Sequence, residues 1–383
     1  MLDLERGGPP PLVFVQKGGR FIGPRIQLSS IRMPPSRFQP AEPTTRGRDA
    51  APGFEPHAWL KGGHAQTVGG WLLGGGRLEL DAEAVEVDLG DGDRLCVLES
   101  IPPGWRAGDP AAVLLHGLAG SAGASYLLRL ANRLLAMGVR VVRVNLRGAG
   151  EGFGMARRIY HAGRSDDVRA VVRWLAARAD GSRIAVAGFS LGASLALKLA
   201  AEAAERPAAG LDCIVAANPP IDLLACARKM QEPANFAYDR NFVRWLRREV
   251  DRLHRRFPDL GPVDLRGVRS VYTFDDLYTA PRNGFASADD YYERSSVGPM
   301  AARIAVPGLV VHAADDPFVP VEAFRTVAFP AAVDFELCAH GGHMGYISRA
   351  PWRGDRRWLE ARIADWLGRR WGVDRQADAQ ARV

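Results

Sequence analysis

Hydrophobic spacing changes twice along this chain. From about residue 76 to 101, RLELDAEAVEVDLGDGDRLCVLES alternates apolar and polar positions around Gly-Asp-Gly-Asp, which predicts an antiparallel pair of strands. After that, short continuous apolar runs take turns with helical periods. AAVLLHGL (111–118), VRVVRVNLRG, RIAVAGFSLG, LDCIVAANPP and GLVVHAADD (308–316) read as strands buried on both faces. Between them SYLLRLANRLLAMG (125–138) reads as a helix closed by Gly138, and SDDVRAVVRWLAARAD (165–180) as a helix with Ser165 as its cap. ASLALKLAAEAAER is helical by its Ala and Leu content, and RRWLEARIADWLGRR (356–370) is an amphipathic helix after a last strand within VDFELCAHGGHMGYI. Strands alternating with helices imply an α/β fold with a mostly parallel sheet covered on both faces.

Three segments leave the rhythm. Residues 1–50, rich in Pro, Gly and Arg, are expected to be a flexible extension, and Met33 offers a second possible start. The main folded domain would span 51–372, followed by a disordered tail at 373–383. Residues of about 221–300 are long, helical and aromatic, and they interrupt the sheet where a lid would enter. Within them NFVRWLRREVDRLHRRF (241–257) sets Phe242, Leu246, Val250, Leu253 and Phe257 on one stripe among six arginines. A lid helix packing its stripe over a site is preferred to one lying on a membrane surface, because Glu249 and Asp251 break the positive charge.

Chemistry concentrates at one corner. In AVAGFSLGASLALKL, Gly188-Phe189-Ser190-Leu191-Gly192 joins a buried strand to a helix, which lifts one hydroxyl above the sheet edge. A serine needs an oriented base, and on such a sheet the partners follow in the order Ser, acid, His. Asp316, just past a late strand, is the expected acid, with Asp315 second. His343, on a loop freed by Gly341 and Gly342, is the expected base, while His340 reads as a neighbouring surface residue. The oxyanion donors would be the main-chain N–H groups of Leu118, in His116-Gly117-Leu118, and of Leu191. His116 fits a loop-fixing role; His64 could line the entrance to the site, but a buried structural histidine is the preferred reading.

Composition narrows the classes. The net charge of +7 comes from arginines scattered over 383 residues, without a basic tract interleaved with aromatics, so nucleic acid is not an expected partner. Cys96, Cys213, Cys226 and Cys338 are far apart and read as small buried hydrophobes of a reducing compartment, with no zinc spacing. No apolar run approaches a membrane span and no signal peptide opens the chain, so a cytoplasmic enzyme is expected. His340 and His343 form H-x-x-H without a third ligand at helical spacing, and no metal or other cofactor is called for.

Longer blocks resemble the YheT-type branch of the α/β-hydrolase superfamily, which includes bacterial esterases, yeast medium-chain acyl ethyl ester enzymes, and mammalian and plant relatives. They are GGHAQTV (62–68), LLHGLAGSAGASY (114–126), RVVRVNLRGAG (140–150), YHAGRSDDVR (160–169), VAGFSLGASLALK, FDDLYTAPRNGFASADDYY (274–292), HAADDPF and HGGHMGY. Relatives often carry Asn and Cys where this chain has Ser194 and Ala149. The resemblance implies an eight-stranded sheet, a charge-relay triad of Ser190, Asp316 and His343, and hydrolysis of short- to medium-chain acyl esters. An acyltransferase and a catalytically silent binding member are the alternatives, and oligomeric state is left open.

Overall fold

The computed structural model describes residues 53–73 and 79–373. The expected N-terminal extension, and the tail beyond Val373, lie outside the described residues. Eight strands form one sheet: β1 (Glu83–Asp88), β2 (Arg94–Ser100), β3 (Ala111–Leu115), β4 (Arg140–Asn145), β5 (Ile184–Phe189), β6 (Leu211–Ala217), β7 (Gly308–Ala313) and β8 (Val333–Cys338). Their order is β1-β2-β4-β3-β5-β6-β7-β8. β1 and β2 are antiparallel to their neighbours, and every pairing from β4 through β8 is parallel.

Side chains along β3 alternate between two cores. Val113 and Leu115 face one, packed with helices α3 (Ser165–Ala176) and α4 (Leu191–Glu202). Ala112 and Leu114 face the other, under α2 (Ser125–Ala136) and α10 (Trp358–Trp371). Burial of both faces is why these strands read as unbroken apolar runs. α2 ends as expected at Gly138, whose φ of 77° lets its N–H reach the Leu135 carbonyl while Val139 reaches Leu134.

Several local readings need correction. Ser165 does not cap α3: it is the first helical residue, and its hydroxyl donates to Glu202 of α4 at 2.7 Å. A helix neighbour claimed the side chain in place of the local backbone. The last helix starts at Trp358, because residues 347–357 form a hairpin of β9 (Ile347–Trp352) and β10 (Asp355–Arg357). Cys96 and Cys213 are buried, but Cys226 and Cys338 are only partly so; all four are free.

A short helix, α1 (Gly63–Leu72), precedes the sheet. Between β6 and β7 the chain builds α5 (Leu223–Met230), α6 (Phe236–Arg256), α7 (Val271–Phe274), a π-turn at Asp275–Thr279, α8 (Ala280–Arg282) and α9 (Ala288–Ser295). The buried stripe of α6 is Val243, Leu246, Val250 and Leu253. Phe242 and Phe257, expected on that stripe, sit at its half-buried margins. Among the described residues no helix is long and apolar enough to cross a membrane.

Candidate active site

Ser190 stands at the junction of β5 and α4 with φ 54° and ψ −122°. Side chains avoid this backbone region, and the surroundings impose it. The Ser190 N–H is tied to the Ala217 carbonyl of β6 at 2.9 Å, and its carbonyl receives the Ala193 N–H at 2.8 Å. The flanking glycines make the corner possible. A Cβ on Gly188 would overlap the Gly192 carbonyl, and one on Gly192 would come within 2.6 Å of the Leu115 and His116 carbonyl oxygens.

The loop after β8 brings His343 to this hydroxyl. His343 Nε2 lies 2.9 Å from Ser190 Oγ, and its Nδ1 lies 2.8 Å from Asp316 Oδ2. Asp316 is buried. Burial by itself would raise its carboxyl, but the His343 ring, with the Phe318 N–H and His312, holds it below the ordinary aspartate value. An ionised Asp316 fixes the tautomer: Nδ1–H donates to the carboxylate, and Nε2 is left to accept from the serine. Asp316 Oδ1 accepts the N–H groups of Phe318 and Val319 at 2.7 and 3.1 Å, which aims Oδ2 at the ring.

The other expected acid has a different position. Asp315 Oδ1 accepts the Gly342 N–H at 2.8 Å, and its Oδ2 pairs with His340 Nδ1 at 3.2 Å. The two histidines of H-x-x-H therefore face separate carboxylates.

At the end of β3, His116 is wholly buried and pushed down to about 4 by its burial, so the ring is neutral. Its Nδ1 bonds the Gly117 carbonyl at 2.7 Å, and its Nε2 accepts the Leu146 N–H at 3.2 Å. Two tyrosine hydroxyls take the neighbouring donors, Tyr126 that of Gly117 at 3.1 Å and Tyr160 that of Ala119 at 2.9 Å. The N–H groups of Leu118 and Leu191 have no acceptor among the described residues. Loop fixing thus spares one N–H on each side of Ser190.

Sequence reasoning missed Thr67, Tyr126, Tyr160 and Asn218. Asn218 sits at φ 48° and donates to Asp316 Oδ2 at 2.7 Å and to the Gly342 carbonyl at 3.1 Å. Its one available signal is an Asn directly after a strand, a residue that tolerates the left-handed region. His64, expected to be buried, is exposed; its ring stacks on Tyr238 of α6 at 5.8 Å. The aromatic contacts continue inward, Tyr238 to Phe318 at 4.8 Å and Phe318 to His343 at 4.6 Å. Both expected donor residues lie against apolar clusters built largely by the insertion: Leu191 against that of Ala162 with α5, α8 and α9, and Leu118 against that which includes the buried face of α6.

Residues 110–350 match the alpha/beta hydrolase fold family. The chain is 34% identical over 286 residues to "Putative esterase YheT" of Escherichia coli (strain K12), covering 73% of this chain and 83% of that one. It is 27% identical to "Monoacylglycerol lipase" of Saccharomyces cerevisiae over 67% of this chain, and spans 59% of the yeast protein's length. Among solved structures, 2,6-dihydroxy-pseudo-oxynicotine hydrolase overlays with a TM-score of 0.51 at 22% identity, over 76% of this chain and 68% of that one.

Proposed function

This chain belongs to the alpha/beta hydrolase family, and on that footing we propose that it is a serine hydrolase of carboxylic esters with short- to medium-chain acyl groups. The observation that carries this reading is the unbroken hydrogen-bonded line Asp316–His343–Ser190, ending on a hydroxyl at a strained strand–helix corner. Ser190 Oγ attacks the ester carbonyl as His343 Nε2 takes its proton. The tetrahedral oxyanion rests on the Leu118 and Leu191 N–H groups, each such donor being worth about 10² to 10³ in rate. His343 then protonates the departing alcohol. In the second half, His343 draws a proton from water as that water attacks the acyl carbonyl. The second tetrahedral intermediate collapses as His343 returns that proton to Ser190 Oγ and the acid leaves. Asp316 keeps the ring in the tautomer both halves require. The helices between β6 and β7 serve as the lid, and their contacts with Leu118 and Leu191 support that role.

The test combines a covalent probe with product analysis. A fluorophosphonate should label the wild type and leave Ser190→Ala unlabelled. A series of p-nitrophenyl esters from acetyl to dodecanoyl should show turnover highest among the shorter and middle acyl groups. Failure to label correctly folded wild type would favour a silent binding protein. Ethyl esters exceeding free acid when ethanol is added would favour acyl transfer.

A further inference from the structure

The motif GGHAQTV (62–68) lies far in sequence from Ser190, Asp316 and His343, yet α1, which it opens, is packed against the loop that carries His343. Four glycines make this contact. A Cβ on Gly63 would overlap the Asp315 carbonyl, and one on Gly342 would overlap the Gly63 carbonyl. On Gly345 it would strike the Gln66 carbonyl, and on Gly70 it would come within 2.8 Å of Gly345 Cα. At these four points backbone meets backbone, which leaves little room for the helix and the loop to shift past each other.

Directed hydrogen bonds fix the register. Gln66, fully buried, donates Nε2 to the Leu60 and Ile347 carbonyls at 2.8 and 3.2 Å and accepts the Ile347 N–H at 2.8 Å. Thr67 closes the other end of the loop. Its hydroxyl donates to the Gly63 carbonyl at 2.7 Å and accepts the main-chain N–H of His343 at 2.8 Å. With its one proton committed to α1, the oxygen can only accept from His343, so it holds that residue at a fixed distance from the helix.

We propose that Thr67 is a positioning residue for catalysis: α1 acts as an external strap, and the Thr67 hydroxyl sets where the His343 imidazole stands between Asp316 and Ser190. This rests on the serine-hydrolase reading above. Thr67 touches no reacting atom. Its effect runs through the backbone of His343, where a displacement of about 1 Å costs on the order of 10² in rate. Gln66 and the glycines bring the strap to the loop, and Thr67 makes its single bond to the catalytic residue itself.

The experiment compares Thr67→Val, which keeps shape and loses the hydroxyl, with Thr67→Ser, which keeps the hydroxyl. On p-nitrophenyl acetate, Thr67→Val should lose about 10 to 10²-fold in kcat with KM within about twofold. Thr67→Ser should recover to within about threefold of wild type. Proton NMR gives a readout independent of turnover: the strongly downfield imidazole proton shared by His343 and Asp316 should be sharp in wild type and Thr67→Ser and broadened or lost in Thr67→Val. Equal kcat in Thr67→Val and wild type overturns the proposal. So does a Thr67→Ser defect as deep as that of Thr67→Val, or a loss confined to thermal stability with the downfield proton unchanged. Should wild type itself neither turn over esters nor react with fluorophosphonate, the functional reading fails, and the NMR comparison still decides whether Thr67 positions His343.

Discussion

At Ser190 the fold holds a strained backbone, and the proposed role of the hydroxyl gives that strain a purpose. A side chain at φ 54° and ψ −122° is strained in the folded protein alone, and glycine removes most of the penalty. Ser190→Ala and Ser190→Gly are both expected to lose the covalent label, but they should differ in stability. The glycine variant should be the more stable by about 1 kcal/mol, read as a shift in urea midpoint at constant slope. Equal midpoints would mean that the corner is relaxed. That Ser190, Asp316 and His343 come together was legible in the sequence, because the proposed chemistry demands particular residue types in a fixed order around a Gly-flanked serine. Thr67 and Tyr160 were not, since a hydroxyl that accepts a distant loop N–H leaves no local pattern. His64 was misplaced for a related reason: whether a histidine is covered depends on the face its helix turns outward.

Legibility at the scale of elements follows the source of each element's stability. α2, α3 and α10 carry an apolar face against the sheet and announce themselves by period, whereas α1 is short, rich in glycine and shaped by the loop it binds. The insertion was visible as a break in rhythm, while its pieces were not, because α7, the π-turn and α8 together span residues 271–282 and are ordered by mutual contacts. One such contact is pH-sensitive. In the π-turn, Asp275 accepts hydroxyls from Thr279 at 2.6 Å and Tyr292 at 2.7 Å, and no cation pairs with it among the described residues. Burial pushes its carboxyl up to about 6, against the smaller opposing pull of the two hydroxyls. Its folded value lies above its unfolded value of about 3.9, so the folded protein binds the extra proton. The resulting stabilisation is complete below about pH 4 and is lost as pH rises through about 6. Asp275→Asn carries no charge at either extreme. Relative to wild type it should therefore gain stability between pH 5 and pH 8, seen as slower proteolysis or amide exchange across residues 271–295. An Asn variant whose advantage is the same at both pH values would place the titration elsewhere.

At the scale of the whole molecule, where the 50 basic residues outnumber the 43 acidic ones, some of the charge joins parts of the fold from within. Arg147, in the loop after β4, is the clearest case, its side chain 2% exposed. It grips Asp167 of α3 with two bonds of 2.7 Å, and it also pairs with Asp93 and with Asp91 in the turn between β1 and β2. One guanidinium thereby ties the antiparallel edge of the sheet to the helix layer and to the strand that leads into it. Burial opposes its charge, but the aspartates more than compensate and hold it firmly protonated. Substituting Arg147→Met keeps bulk and removes the ion-pair partner of the buried Asp93 and Asp167, a change expected to cost about 3–5 kcal/mol in urea unfolding. The acidity dependence identifies the cause. Unpaired carboxylates take up protons readily in the folded state, so the deficit of Arg147→Met should shrink as pH falls from 8 toward 5. Adding Asp93→Asn and Asp167→Asn should restore part of the stability at pH 8, because the repelling charges are then gone. A deficit below about 1 kcal/mol, or one that does not change with pH, would mean that packing of the arginine stem and not its charge joins the edge strands to the rest.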